Sequence, residues 1–160
     1  MTTKSTTSPE DAISRGDLSG LTTYQAGVAQ AAIHRTLQKY CDEVLVQYGI
    51  TKMHWLIIGT VMDAGDRGAR LTDLSTALGT TLPYLTNAVN LLESKGMLVR
   101  ASSDTDSRSK LITIHPDFAP KCAVIEATLR DALRTSIYAE IDPAEFRIYM
   151  KVLFQLGRVR

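Results

Sequence analysis

At 160 residues the chain can bury one real core and is too short for two ordinary domains. With 44% hydrophobic and 22% charged residues it is neither disordered nor fibrous, and its formal net charge of +1 neither demands nor excludes nucleic acid, since a local basic patch can be balanced elsewhere. The longest apolar run, "WLIIGTVM", is far short of the roughly 20 residues that span a bilayer, so no membrane partner is expected.

Residues 1–19 are rich in Ser, Thr, Asp and Gly without the apolar core of a secretory signal, and read as a flexible tail. One domain, 20–160, is expected to follow. From about Leu21 to Tyr48, apolar residues recur at Tyr24, Val28, Ala31, Leu37, Cys41, Val44 and Tyr48, which predicts a long amphipathic helix ended by Gly49. Thr51 is the expected cap of a second helix, about Lys52 to Ala64, apolar nearly all round as a central buried helix would be. Two short helical patterns then flank Gly79. Thr72 is the expected cap of the first, with Leu71, Leu74 and Leu78 apolar. Thr81 is the expected cap of the second, with Leu85, Ala88, Val89 and Leu92 on one face and Gly96 at its end. Two helices joined by about three residues around a glycine form a helix-turn-helix.

"LVRA" and "KLITI" alternate as the strands of an antiparallel hairpin whose connection is "SSDTDSRS". A further helix carries Cys122, Ile125, Leu129, Ala132 and Ser136 on one stripe. Asp142, Pro143 and Glu145 then open a terminal helix as N-cap, N1 and N3. The predicted fold class is mainly α, with six helices and a small β-hairpin: a winged helix-turn-helix.

The second helix of such a motif enters a DNA major groove. With its apolar set turned inward, its outer face presents Thr81, Leu82, Pro83, Tyr84, Thr86, Asn87 and Asn90. Asn can pair with adenine at N6 and N7, and Thr can meet a thymine methyl. A face that met only water would carry Lys and Glu, which are absent until Glu93 and Lys95. On the hairpin, Arg100, Arg108 and Lys110 are cations for phosphate or the minor groove, and Asp106, two residues before Arg108, can hold and aim its guanidinium.

From roughly Thr51 to Ile114 the sequence resembles the MarR family of bacterial transcription regulators. "LTDLSTALGTTLPYLTNAVNLLESKGMLVR" is similar to the family's helix-turn-helix and its run into the wing, with Leu92, Glu93 and Gly96 at matching places. "DSR", Asp106 to Arg108, resembles the family's D-x-R wing motif, and Trp55 in "TKMHWLII" sits where the family often has an aromatic residue. The resemblance implies an Arg108 that enters the minor groove, an Asp106 that orients it, and a homodimer. In that dimer, helices from 20–50 and 117–160 interleave around winged-helix lobes of 51–115. The chain departs from the pattern at Asn87, where a basic residue is frequent, and at "IHPDF", Ile114 to Phe118, where the helix start reads as rebuilt around Asp117 as cap.

The resemblance also implies a small-molecule effector, with a pocket between the dimer helices and the DNA-binding lobe, for which Tyr24, His34, Met53 and Trp55 are candidates. Met53 and Trp55, on a buried helix, read more readily as core. Cys41 matches the first-helix cysteine of oxidant-sensing relatives, yet it falls on the apolar stripe, where a thiol is inert unless exposed and acidified. His34 and Cys41 share a helix face, but two residues make no metal site, and neither a metal nor a cofactor is expected. The two cysteines, Cys41 and Cys122, have no C-x-x-C spacing, which suits a reducing, cytoplasmic location. There is no phosphate-cradling Gly-rich motif, no H-E-x-x-H and no G-x-S-x-G, so an enzyme is not expected. The expected function is a DNA-binding transcription regulator, usually a repressor in such families, acting as a homodimer on double-stranded DNA with a pseudo-palindromic operator. A winged-helix module that binds protein through the same face is the alternative.

Overall fold

The computed structural model describes residues 13–16, 19–102 and 110–158. The chain divides into two units, Met1–Lys39 and Tyr40–Arg160. Among the described residues, six α-helices and two strands run in the order α1 (Thr23–Leu45), α2 (Lys52–Ala64), α3 (Leu71–Leu78), α4 (Leu82–Ser94), β1 (Leu98–Ser102), β2 (Lys110–Ile114), α5 (Ala119–Ser136) and α6 (Pro143–Leu156). This is the order expected from the sequence. Among the described residues no helix is long and apolar enough to cross a membrane.

Local chemistry explains the helix starts. Thr22 caps α1: its hydroxyl accepts from the Gln25 N–H, while the Gln25 side chain accepts from the Thr22 N–H. Gly49, at φ 67°, turns the chain out of the 3-10 turn that follows α1. At α2 the Thr51 hydroxyl accepts from the His54 N–H, and His54 Nδ1 accepts from the Thr51 N–H. Burial, and secondarily the charge of Lys95, pushes the His54 pKa down, which favours the neutral imidazole this acceptor role needs. The Asp42 carboxylate takes the Lys52 N–H at 2.7 Å, tying the end of α1 to the start of α2. Asp142 caps α6 as the sequence predicts, accepting from Ala144 N and Glu145 N.

Two caps differ from expectation. α3 begins at Leu71, with Arg70 at the cap position and its N–H accepted by Asp73, so Thr72 lies inside the first turn. The cause is an unanticipated β-bridge: Ala69 exchanges two backbone hydrogen bonds with Ile112 on β2, at 2.8 and 2.9 Å, and holds the chain extended until the helix starts. α5 begins at Ala119 with Phe118 at the cap position. Asp117 instead donates its N–H to His115 Nδ1, and the Phe118 and Ala119 N–H groups both return to the His115 carbonyl. That turn occupies the place where an Asp117 cap was expected.

The second unit has one core. Leu45, Ile57, Ile58, Val61, Leu74, Leu85, Val89, Leu92, Leu98, Ile112 and Ile125 are all at 2% exposure or less. Each such side chain contributes about 1.5–3 kcal/mol of transfer free energy. β1 and β2 pair antiparallel, with Leu98 opposite Ile114 and Arg100 opposite Ile112. Tyr138, just after α5, packs against Phe146 of α6 with tilted rings 4.7 Å apart, and within α6 the Phe146 and Tyr149 rings lie 6.3 Å apart. α6 has no fully buried residue of its own.

Candidate nucleic-acid interface

The helix-turn-helix is set by its turn. Gly79, at φ 60°, ends α3, and Ser75 Oγ donates to the Thr80 carbonyl at 2.6 Å, fixing the entry to α4. Thr81 occupies the cap position without a side-chain capping bond, so its hydroxyl is not committed to the helix end. Pro83 sits in the first turn, where no intrahelical N–H is needed. Leu85, Ala88, Val89 and Leu92 are buried, as their spacing predicts.

The opposite face exposes Thr81, Leu82, Pro83, Tyr84, Asn87 and Asn90. Thr86 is half-buried and donates its hydroxyl back to the Leu82 carbonyl, which leaves a methyl group and oxygen lone pairs facing outward. α4 contains no Lys or Arg. The cations come from its surroundings: Arg70 before α3, Arg100 on β1 and Lys110 at the start of β2. With Leu71, Thr72, Thr86, Asn90 and Ile112 they line an open cleft of about 550 Å³. Neither Arg70 nor Thr72 is among the DNA-contact candidates named from the sequence; the bridge at Ala69 brings them to this cleft.

Arg100 is not a free cation. In β1 it lies two residues from buried Leu98, on the same side of the strand, so its side chain runs toward α4 and is largely covered. Its Nη1 forms an ion pair with Glu93 Oε2 and donates to Asn90 Oδ1 at 2.8 Å. The guanidinium thus clamps the wing to the outer edge of the recognition helix. Asp106 and Arg108 lie outside the described residues.

Of the ligand-pocket candidates, Met53 and Trp55 are half-buried and pack against the core of the second unit. Tyr24 and His34 are exposed on the first part of α1, Tyr24 by 77%. Cys41 and Cys122 are buried free thiols whose pKa values burial pushes up, with Lys52 only partly opposing this at Cys41. A protonated, covered thiol is a poor nucleophile. Among the described residues no group of three His, Cys, Asp or Glu side chains could hold a metal ion.

A helix-turn-helix followed by a two-stranded hairpin, with a third β-contact from Ala69, two residues before α3, defines a winged-helix protein. Within that class, residues 48–109 match the MarR family model. Over more than four fifths of its length the chain is similar in fold to solved MarR-type structures. A MarR-family transcriptional regulator from Rhodococcus sp. RHA1 superposes with a TM-score of 0.78 at 15% identity, over 87% of this chain and 96% of that one. CouR from Rhodococcus jostii RHA1, solved bound to p-coumaroyl-CoA, gives 0.75 at 16% identity over 84% and 93%. A cysteine-to-serine mutant of MarR from E. coli, solved with operator DNA, gives 0.71 at 18% over 81% and 91%. The chain has the MarR fold, and the match to the family model falls on its winged-helix segment.

Proposed function

We propose that this chain is a DNA-binding transcription regulator, a repressor, that reads a pseudo-palindromic operator as a homodimer in the cytoplasm. The observation that carries this reading is the pairing of an uncharged, hydrogen-bonding α4 face with a flanking cleft whose exposed cations are Arg70 and Lys110. Short polar side chains suit base edges, and cations beside them suit phosphates, which fix register on the duplex. Thr81, Pro83, Tyr84, Asn87 and Asn90 form the groove-facing set, with Thr86 offering its methyl. Lys110 and, from its sequence motif, Arg108 supply charge on the wing side, with Asp106 orienting Arg108. The MarR relative solved with operator DNA supports the same use of the fold.

The dimer reading is supported by α6, where Ile148, Val152, Leu153, Phe154 and Leu156 are all exposed in the single chain. A stretch this apolar is a liability in a monomer. Segments 20–50 and 117–160 are accordingly assigned to dimerisation and 51–115 to DNA binding. A small-molecule effector, supported by the acyl-CoA complex of CouR, would act by shifting the spacing of the two lobes. Tyr24, His34, Met53 and Trp55 stay the candidate contacts. Exposed Leu82, Tyr84 and Leu91 on α4 favour one alternative, a winged-helix module that docks on protein.

Selection of bound sequences from a random duplex pool by the purified chain tests the proposal. The expected result is an inverted repeat with half-site centres about one helical turn, roughly 34 Å, apart. Recovery of unenriched sequence would overturn it in favour of the protein-docking alternative.

A further inference from the structure

Asn90 is exposed on the α4 face and lines the cleft, yet one end of its amide is already used. Arg100 Nη1 carries two N–H groups; one meets Glu93 Oε2 and the other Asn90 Oδ1. Only the carbonyl oxygen of an amide can face a guanidinium N–H, because the amide nitrogen is itself a donor. The bond therefore fixes which way the Asn90 amide is turned. Asn90 and Glu93 are three apart on one helix face, so a single guanidinium reaches both. Among the described residues the Asn90 Nδ2 has no hydrogen-bond partner.

We propose that Arg100 is a specificity-positioning residue, which turns Asn90 into a one-ended reader that offers DNA only N–H donors. The inference rests on the DNA-binding reading above. It changes the base chemistry expected of this asparagine. Bidentate pairing with adenine needs the amide oxygen to accept from N6 while the nitrogen donates to N7. With its oxygen held toward the wing, Asn90 meets the adenine N6 amino group donor against donor. Guanine instead presents two acceptors, N7 and O6, to the same Nδ2. Asn90 therefore selects guanine over adenine, and Arg100 sets that choice without touching a base. Glu93 supports the arrangement by holding the other Nη1 hydrogen and offsetting the guanidinium charge.

The test is the random-duplex selection run with the full-length wild type, Asn90→Asp, and the charge-balanced double variant Glu93→Gln with Arg100→Met. In the wild type, guanine should exceed adenine by about ten-fold at one symmetry-related pair of positions. Asn90→Asp keeps an oxygen for Arg100 and presents an acceptor outward, so the preference should be lost or reversed toward bases with an amino group. The double variant releases Oδ1, and adenine should rise to match or pass guanine there, with the other positions unchanged. The inference is overturned if the wild type prefers adenine. It is equally overturned if the double variant keeps the guanine preference and binds every duplex more weakly, the behaviour of a lost phosphate contact. Should the double variant not fold, judged by its circular dichroism, an unchanged guanine preference in Asn90→Asp overturns the inference alone. Absence of any enrichment by the wild type removes the DNA-binding reading and this inference with it.

Discussion

Gly68 supports the wing from behind. Its backbone, at φ 67° and ψ 166°, lies in a region essentially reserved for glycine, and a Cβ there would stand 3.1 Å from the Ile112 carbonyl oxygen, Leu111 Cβ and Thr113 Cγ2. Gly68→Ala is predicted to cost about 1–3 kcal/mol and to lower the midpoint of denaturant unfolding. Gly79→Asn serves as the comparison, because Gly79 is in the ordinary left-handed region that asparagine tolerates and has open space around it. Equal losses in the two variants would contradict this account of Gly68. At this scale the sequence was legible at Thr51 and Asp142, whose side chains cap their own helices, and not at Thr72 or Asp117, where the bridge at Ala69 and the turn at His115 set the helix starts. It was not legible for Arg100. Charge alone made that residue a candidate for phosphate, whereas the two-residue period of β1 places it with Leu98, facing Glu93 and Asn90.

The helices could be read from spacing because each repeats its apolar pattern over several turns, and α4 buries all four residues that pattern selects; α5 buries Cys122, Ile125 and Leu129 but leaves Ala132 half-buried and Ser136 exposed, and α2, expected to be buried nearly all round, exposes Leu56 and Met62. The bridge at Ala69 could not be read, since one paired residue has no period. It nevertheless moves the start of α3 and brings Arg70 and Thr72 to the cleft. α6 poses the reverse case: its pattern is strongly apolar, but the single chain leaves Ile148 62% and Phe154 63% exposed. A partner helix is the simplest cover for such a face. Phe154→Asp is predicted to convert a dimer to a monomer in sedimentation equilibrium while the helical circular dichroism is retained. A variant that sediments as the wild type does would show that α6 is covered in some other way.

For the molecule as a whole, the winged-helix architecture follows from element order, and the same order is found in MarR-type structures that share only 15–18% identity with this chain. Conserved geometry on divergent residues explains why fold was more legible than site. The fold needs apolar residues at given spacings, which many sequences supply, whereas base readout depends on individual polar atoms and on what holds them. The neutral surface of α4 makes the wing and the cleft the source of electrostatic affinity. DNA affinity should therefore fall steeply with salt, because each neutralised phosphate releases counterions. The most direct test of the DNA-binding account is a salt titration of duplex affinity for the wild type and Arg108→Ala. The account predicts a steep negative slope of log affinity against log salt for the wild type, and a slope shallower by about one for the variant. A wild-type affinity that does not change with salt, or an Arg108→Ala variant with an unaltered slope and affinity, would contradict it.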